Sequence, residues 1–278
     1  QLYPNKDEYV RSPSVQRSIN LIKKNLILYP KTKNIIFADD TFTLHKKWLM
    51  EFCEIYKKEI GLPFSCNARV ETIDNQVAHY LKLGGCQSIC FGVESGNEWL
   101  RKHILNRGHS NKRIKEAFEL TKKYGLKSFS FNIVGLPFET REMARDTLNF
   151  NLELQPDFGK CFYFYPYPES RIYQLCLDYG LLLDDLEAVS GYLEAPSLKE
   201  IFMSHNEIKN IFGLMQMFFY MRLLLSKIRI PFLFEKIILK ILFLLKCPIL
   251  MVLDPTTNSR NISGLRRIMR KLAMKYLR

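Results

Sequence analysis

The sequence predicts an α/β fold: a partial (β/α)6 barrel of TIM type over residues 1–195, followed by a helical region over 196–278. Short β-rich runs alternate with amphipathic helical stretches between residues 15 and 183, which is typical of repeated β-α units and a parallel sheet. A helix predicted near 14–29 precedes the first readable strand, so the repeat is open at its front. After Pro196 the sequence changes to long stretches rich in Met, Phe and Leu.

The elements of the repeat follow in order, with glycines expected at three helix ends. The predicted strands are Asn34 to Ala38, Pro63 to Asn67, Ser88 to Val93, Ser128 to Val134 and Lys160 to Tyr165. The predicted helices between and after them lie near 45–60, 74–83, 111–124, 139–154 and 169–179, with Gly61, Gly84 and Gly125 at helix ends. In such a sheet, functional side chains gather at the carboxyl ends of the strands.

The basic character of the chain belongs to its end. The formal net charge is +13. Residues 199–278 contain 15 Lys and Arg against 4 Asp and Glu, while residues 1–198 contain 26 against 24. Because the barrel region is nearly neutral, the total charge by itself does not indicate nucleic-acid binding.

The cysteines favour a reducing, cytosolic setting. There are seven, an odd number spread through apolar surroundings, unlike the dense even set of a secreted disulfide framework. The start of the chain has no apolar signal segment. The absence of an initiator Met at Gln1 suggests that the true amino terminus lies upstream.

The C-terminal region is expected to be helical without crossing a membrane. Its longest charge-free stretch, Ile211 to Met221, is shorter than a span requires. The segment 231–253 carries charges that fit an amphipathic helix, and a helix near 262–277 has one apolar face and many Arg and Lys residues on the rest. This last helix would either lie on an anionic membrane surface or pack on the barrel with a solvated basic face.

Polar residues follow the first two predicted strands. Asp39 and Asp40 could receive an ammonium group, coordinate a metal, or cap the next helix, for which Asp40 or Thr43 would serve. Arg69 ends the second strand, where its guanidinium could hold a carboxylate on two oxygens or form a surface ion pair.

The next three strand ends add further candidates. Phe91 to Gly96 delivers Glu94 and Ser95 between glycines, and Glu94 would accept from hydroxyl or ammonium donors or form a buried ion pair, for instance with Arg69. In the segment from Asn132 to Thr140, Gly135 removes a side chain as the strand leaves the sheet, while Glu139 and Thr140 suit the start of a helix. Tyr167 would stack on a base, position a substrate, or simply pack at the rim.

Cys86 and Cys90 form half of a metal site at most, because no third Cys or His lies nearby in sequence. Strand alternation predicts that both lie on one face. They are interpreted as structural thiols, and no metal ligands are assigned.

Taken in order, these strand-end segments resemble the radical S-adenosylmethionine superfamily, in the branch whose members often carry an upstream cobalamin-binding domain. The resemblance covers about residues 8–180 and begins at Tyr9-Val10-Arg11-Ser12-Pro13, which is similar to the Arg-Ser-Pro step after the cluster loop in that branch. It implies a 4Fe–4S cluster, S-adenosylmethionine, and a 5′-deoxyadenosyl radical that modifies or methylates a substrate. It also implies an electron donor such as flavodoxin or ferredoxin, and cobalamin if the upstream domain is present.

The resemblance assigns roles to the strand-end residues. Asp39 and Asp40 would meet the amino group of S-adenosylmethionine, Glu94 and Ser95 its ribose or methionine part, and Arg69 its carboxylate. The adenine would lie beside Gly135 and its apolar neighbours. The expected binding residues are Asp39, Asp40, Arg69, Glu94, Ser95, Asn132, Gly135 and Tyr167; catalytic residues are left unassigned.

One departure from the family pattern is serious. No Cys-x-x-x-Cys-x-x-Cys motif occurs in the chain, and the first βα unit that should carry it is missing as well. The most economical interpretation is an incomplete chain, inactive alone, whose complete parent is a radical enzyme. The alternative is an inert barrel remnant that binds membrane surfaces or nucleic acid through its basic C-terminal helices.

The substrate class and location are only broadly indicated. A small-molecule or lipid-like substrate is expected, and nucleic acid is not expected as a partner. The apolar C-terminal helices would suit a lipid-like substrate, but a helical lid over the barrel mouth would have the same sequence pattern. The expected location is the cytoplasm, with peripheral membrane contact through residues 199–278 as a further expectation.

Overall fold

Helices and strands alternate along the described part of the chain. The computed structural model describes residues 12–186, 191–192 and 195–228, with side chains up to 223. The strands are β1 (Ile35–Phe37), β2 (Phe64–Ala68), β3 (Cys86–Glu94), β4 (Lys127–Val134) and β5 (Phe158–Tyr163). The helices are α1 (Val15–Leu28), α2 (Lys46–Glu59), α3 (Asn75–Gly84), α4 (Asn111–Lys123), α5 (Arg141–Leu154), α6 (Arg171–Asp178) and α7 (His205–Ile228).

The five strands form one sheet in the order β1-β2-β3-β4-β5. The pairs β1–β2 and β2–β3 are parallel. This sheet with its alternating helices confirms the predicted α/β class. Two short helical turns were not predicted from the sequence: a 3-10 turn at Val70–Thr72 and a π-helical turn at Leu100–Ile104.

The described residues divide into two compact units. Unit 1 contains the described residues up to Gly92 together with His109–Phe129, and unit 2 contains Val93–Gly108 together with the described residues from Ser130 onward. The predicted boundary at 195/196 stays a prediction.

Unit 1 has an aromatic core between α2 and the start of the sheet. Phe37 stacks on Phe42 with ring centroids 4.6 Å apart and meets Phe52 and Phe64 edge to face. Such pairs add to the free energy gained by burying apolar area. The core fixes the carboxyl ends of β1 and β2 relative to each other.

Unit 2 buries β5 beneath α7. Phe212 of α7 stacks on Tyr163 with ring centroids 4.2 Å apart, and Gln216 donates to the carbonyl of Cys161 at 2.9 Å. A Cβ on Gly159 would lie 2.3 Å from the ring of Phe219. The prediction that β5 begins at Lys160 was wrong, because Gly159 belongs to the strand and makes room for that ring.

One other predicted detail needs correction. The residue that ends α3 in the left-handed conformation is Gly85 (φ 96°), whereas Gly84 is the last helical residue and packs on Cys53.

None of the described helices is long and apolar enough to cross a membrane. The predicted helices at 231–253 and 262–277, and the segment Tyr9 to Arg11, lie outside the described residues.

Candidate functional site

The turn after β3 holds the most constrained candidate residue, Glu94. Its φ of 62° lies in the left-handed region, which side chains other than glycine rarely adopt. The amide of Ser95 donates to the carbonyl of Val93 at 2.8 Å, so the chain reverses tightly at this point. Such strained positions concentrate at functional sites, where surrounding contacts must hold them in place.

Helix α5 supplies part of that support. The amide of Gly96 donates to Oγ1 of Thr147 at 2.9 Å, and the hydroxyls of Ser95 and Thr147 lie 3.2 Å apart. A Cβ on Gly96 would lie 2.4 Å from the carbonyl oxygen of Asp146, so only glycine allows this approach. Ser95 is fully buried, and its hydroxyl also accepts from the amide of Asn97 at 3.2 Å.

The carboxylate of Glu94 forms an ion pair with Arg107. The closest oxygen and nitrogen are 3.1 Å apart, and the side chains are 14% and 38% exposed. Burial raises the pKa of Glu94, and the charge of Arg107 offsets part of this effect. The pair therefore places an acceptor and a cation side by side, with the cation still reachable from solvent.

Arg69 follows β2 and forms an ion pair with Glu71 of the same unit. Its guanidinium bonds to Glu71 at 2.9 Å, and Glu71 also lies 3.2 Å from Nδ1 of His109. Although burial acts to raise the pKa of Glu71, the hydrogen bond from Arg69, a backbone bond and His109 outweigh it and lower the pKa to about 2. The partner of Glu94 is therefore Arg107, and the pairing of Glu94 with Arg69 was wrong.

Asp39 and Asp40 follow β1 with exposed side chains. The backbone is tied to β2, because the side-chain amide of Asn67 donates to the carbonyl of Asp39 at 3.1 Å. The capping alternative was wrong: the N-cap of α2 is His45, without a side-chain bond, and Thr43 instead bonds to Thr72 at 2.5 Å. Both carboxylates are therefore left at the rim, where β1 and β2 end side by side.

Gly135 directly follows β4, has a φ of 82° and is hydrogen-bonded to Glu139. The amides of Gly135 and Leu136 donate to Oε2 of Glu139 at 2.6 and 3.1 Å. Burial raises the pKa of Glu139 to about 8, with these two bonds opposing the effect. Its Oε1 has no hydrogen-bond partner among the described residues. The helix start is capped by Thr140, as expected.

Apolar side chains surround the Gly135 turn. A small cavity of about 20 Å³ lies beside it, and a Cβ on Gly135 would lie 3.4 Å from Ile208 of α7. A larger groove of about 570 Å³ lies in unit 1 between α3 and α4, where the charges pair with one another, as Arg113 does with Glu116 at 3.6 Å. None of the strand-end candidates lines that groove, so we do not assign the site to it.

Asn132 lies within a network inside unit 2. Its side-chain nitrogen donates to the hydroxyl of Ser130 at 2.9 Å, and its oxygen accepts from Asn151 at 2.7 Å. The side chain is fully buried. These contacts favour a structural role in joining β4 to α5, and a role in ligand binding stays a prediction.

Tyr167 is 57% exposed and meets Tyr165 edge to face with ring centroids 5.3 Å apart. Its carbonyl accepts from the hydroxyl of Ser170 at 2.6 Å, which stabilises the turn before α6. The aromatic face is therefore accessible, and the predicted stacking role stays a prediction.

The side chains of Cys86 and Cys90 lie on opposite faces of the sheet, whereas the sequence predicted one shared face. The ladder pairs Phe64 with Cys86 but Asn67 with Cys90, and a register shift after Phe64 separates the two pairs. Because Phe64 and Asn67 point to opposite faces, Cys86 and Cys90 do not share a face as predicted. No group of three or more His, Cys, Asp or Glu side chains in the described ranges is arranged to hold a metal ion.

The structure therefore groups the candidates within each unit. Unit 1 brings Asp39 next to the end of β2, which carries Arg69, and unit 2 holds Glu94, Ser95, Asn132, Gly135 and Tyr167. Sequence reasoning missed Arg107 and Thr147, because neither lies at a strand end. Each is recognised only by its contact with the turn after β3.

Comparisons with known proteins show which family the chain resembles in sequence. The Radical SAM superfamily profile matches residues 3–150. An uncharacterized methyltransferase of Pyrococcus horikoshii is 34% identical over 152 residues, covering 54% of this chain and 33% of that protein. The anaerobic magnesium-protoporphyrin IX monomethyl ester cyclase of Rubrivivax gelatinosus is 29% identical over 142 residues, covering 50% and 25%.

Two solved structures share the fold. The cobalamin-dependent S-adenosylmethionine radical enzyme OxsB gives a TM-score of 0.53 at 15% identity, covering 96% of this chain and 47% of that chain. The radical S-adenosylmethionine methyltransferase TsrM of Kitasatospora setae gives 0.52 at 12% identity, covering 68% and 37%. The chain thus spans less than half the length of each of these four proteins.

Proposed function

Because the chain belongs to the Radical SAM superfamily, a superfamily of enzymes, we propose that its strand ends bind S-adenosylmethionine for reductive cleavage. The observation that carries the proposal is the strained turn that presents Glu94 beside Arg107. A zwitterionic sulfonium ligand needs an acceptor for its ribose hydroxyls, a cation for its carboxylate and an acid for its ammonium group.

The residues of this chain fit those needs. Glu94 accepts from the ribose hydroxyls, and the half-exposed Arg107 takes the methionine carboxylate, a role that the sequence had suggested for Arg69. In unit 1, taken by itself, the exposed carboxylates of Asp39 and Asp40 are proposed acceptors for an ammonium group. We propose that the adenine lies beside Gly135 and its apolar neighbours, with Tyr167 as a further stacking surface. Ser95 holds the turn rather than the ligand.

The described residues do not fit a 4Fe–4S cluster, since they contain no suitable metal-binding group. In the complete protein the reduced cluster would supply one electron to the sulfonium, which breaks the C5′–S bond and leaves methionine and a 5′-deoxyadenosyl radical. We propose that its ligands lie outside the described residues. The part of this chain is to hold S-adenosylmethionine in place.

The finer outcome is proposed from the relatives. Methylation is the first reaction to test, because the relative at 34% identity is described as a methyltransferase. Cobalamin, an electron donor such as flavodoxin or ferredoxin, and a small or lipid-like substrate belong to the same proposal. The solved neighbour that covers 96% of the chain is a cobalamin-dependent enzyme.

The test uses the complete product of the gene that encodes this chain. The protein is reconstituted anaerobically with iron and sulfide, reduced, and incubated with S-adenosylmethionine. We expect 5′-deoxyadenosine or S-adenosylhomocysteine to form, and Glu94→Gln to lower the yield. A fully loaded cluster that produces neither compound would contradict the proposal.

A further inference from the structure

Arg101 is the largest fully buried side chain in the part of the chain that the structure describes. It belongs to the π-helical turn Leu100–Ile104, which follows the Glu94 turn. Burial lowers the pKa of its guanidinium, with Glu98 acting in the opposite sense from 3.8 Å away. A buried cation is costly unless nearby groups compensate for the lost water.

The contacts of Arg101 lead to both members of the Glu94–Arg107 pair. Its Nη1 donates to the carbonyl of Ser95 at 2.5 Å, and its own carbonyl accepts from the amide of Arg107 at 2.7 Å. Its guanidinium also lies over the ring of Phe150 at 5.9 Å. The side chain of Arg101 therefore holds the backbone next to Glu94, while its backbone carbonyl holds the backbone of Arg107.

This fastening matters because of the conformation of Glu94. A non-glycine residue at φ 62° relaxes unless its neighbours fix it. Thr147 fixes the amide of Gly96 from the side of α5, and Arg101 fixes the carbonyl of Ser95 from within the unit. The bond from the Arg101 guanidinium is charge-assisted and is therefore the stronger of the two.

We propose that Arg101 is the positioning residue of this site: it sets the direction of the Glu94 carboxylate and its separation from Arg107 without touching the ligand. The inference rests on the proposed binding of S-adenosylmethionine. It adds that affinity for this ligand depends on a buried cation that no strand-end motif contains.

The test is a double-mutant cycle on the complete, cluster-loaded protein, with S-adenosylmethionine affinity measured by calorimetry. Arg101→Met should weaken binding about tenfold, whereas Arg101→Lys, which keeps the cation, should weaken it only about threefold. On a Glu94→Gln background, Arg101→Met should cost less than about twofold more, because a residue acting through Glu94 has nothing left to position.

Lys102→Met is the matched control, since Lys102 is exposed on the same turn and should leave affinity unchanged. Cluster absorbance and the thermal midpoint monitor folding. If Arg101→Met does not fold, Arg101→Lys replaces it in the cycle.

The failures are distinguishable. Equal losses from Arg101→Met with and without Glu94→Gln would overturn the positioning role, and so would unchanged affinity in Arg101→Met. If the wild-type protein does not bind S-adenosylmethionine at all, the proposed function fails first and this inference with it.

Discussion

The turns after β1 and β3 both carry acidic residues at a strand end, yet they are built in opposite ways. Asp39 and Asp40 are exposed, and the observed support is the bond from Asn67 to the Asp39 carbonyl. Glu94 is mostly buried, adopts a left-handed backbone and is paired with Arg107. From the sequence, both turns were candidate ligand sites, with helix capping as the alternative for the first and a buried ion pair as the alternative for the second.

The difference separates a preorganised group from an adaptable one. A carboxylate that is already desolvated and fixed loses little freedom when a ligand binds, so its contact contributes more to affinity. An exposed carboxylate gives up hydration and rotamer freedom for the same contact. Under the proposed function, we therefore expect a change in the β3 turn to reduce ligand affinity more than a change in the β1 turn does.

A large loss of stability is expected from breaking the contact between the β3 turn and α5. In Gly96→Ala the new Cβ would meet backbone atoms at 2.4 Å, which forces α5 away. We expect the free energy of unfolding to fall by at least about 3 kcal/mol, measured by urea denaturation. Gly108→Ala is the control, because a Cβ there meets nothing within 4 Å; equal stability of the two variants would show that the turn is not tightly held.

Another large effect concerns the turn after β4, where Glu139 is buried as Glu94 is, but forms no ion pair with any residue that the structure describes. Its folded pKa of about 8 exceeds the ordinary value of 4.5. As pH rises from about 4.5 to 8 the unfolded state releases its proton while the folded state keeps it, so this group lowers stability over that window.

Glu139→Gln should remove that pH-dependent loss. Relative to wild type, the variant should gain up to about 5 kcal/mol of unfolding free energy between pH 4.5 and 8. Thermal or urea unfolding at several pH values measures this gain. Glu142→Gln, at an exposed position in the first turn of α5, should show no such trend. A parallel pH dependence in wild type and Glu139→Gln would mean that Glu139 is ionised in the folded protein.

The smallest effect sharpens the account of unit 1. Asp74 caps α3 through the amide of Val77 at 2.8 Å and pairs with Lys46 at 2.6 Å, whereas Asp40 caps no helix. Asp74→Ala should cost about 1 kcal/mol of unfolding free energy, and Asp40→Ala less than about 0.5. A comparable loss in Asp40→Ala, measured by urea denaturation, would show that the β1 turn is held more firmly than its contacts indicate.

Periodicity in the sequence predicted the fold well, because alternation and turn residues are local signals. The last residues of β1, β2, β3 and β4 lie within one or two residues of their predicted positions. Glu94 was recognisable because apolar residues on one side and glycines on the other are close to it in sequence.

The features that were not predicted depend on contacts between distant segments. Arg107 reaches Glu94 only because the π-helical turn folds the chain back, and Thr147 reaches the same turn from α5. The register shift that separates the faces of Cys86 and Cys90 leaves no mark in the spacing of the two cysteines. Such features follow from packing between elements, which a single sequence does not display.

The most direct test compares Glu94→Gln with Asp40→Asn in the complete, cluster-loaded protein by calorimetric titration with S-adenosylmethionine. Both changes remove one negative charge from a strand end. We expect Glu94→Gln to weaken binding by tenfold or more, and Asp40→Asn by no more than about threefold. A loss in Asp40→Asn equal to or greater than that in Glu94→Gln would contradict the assignment of the β3 turn as the anchor of the site.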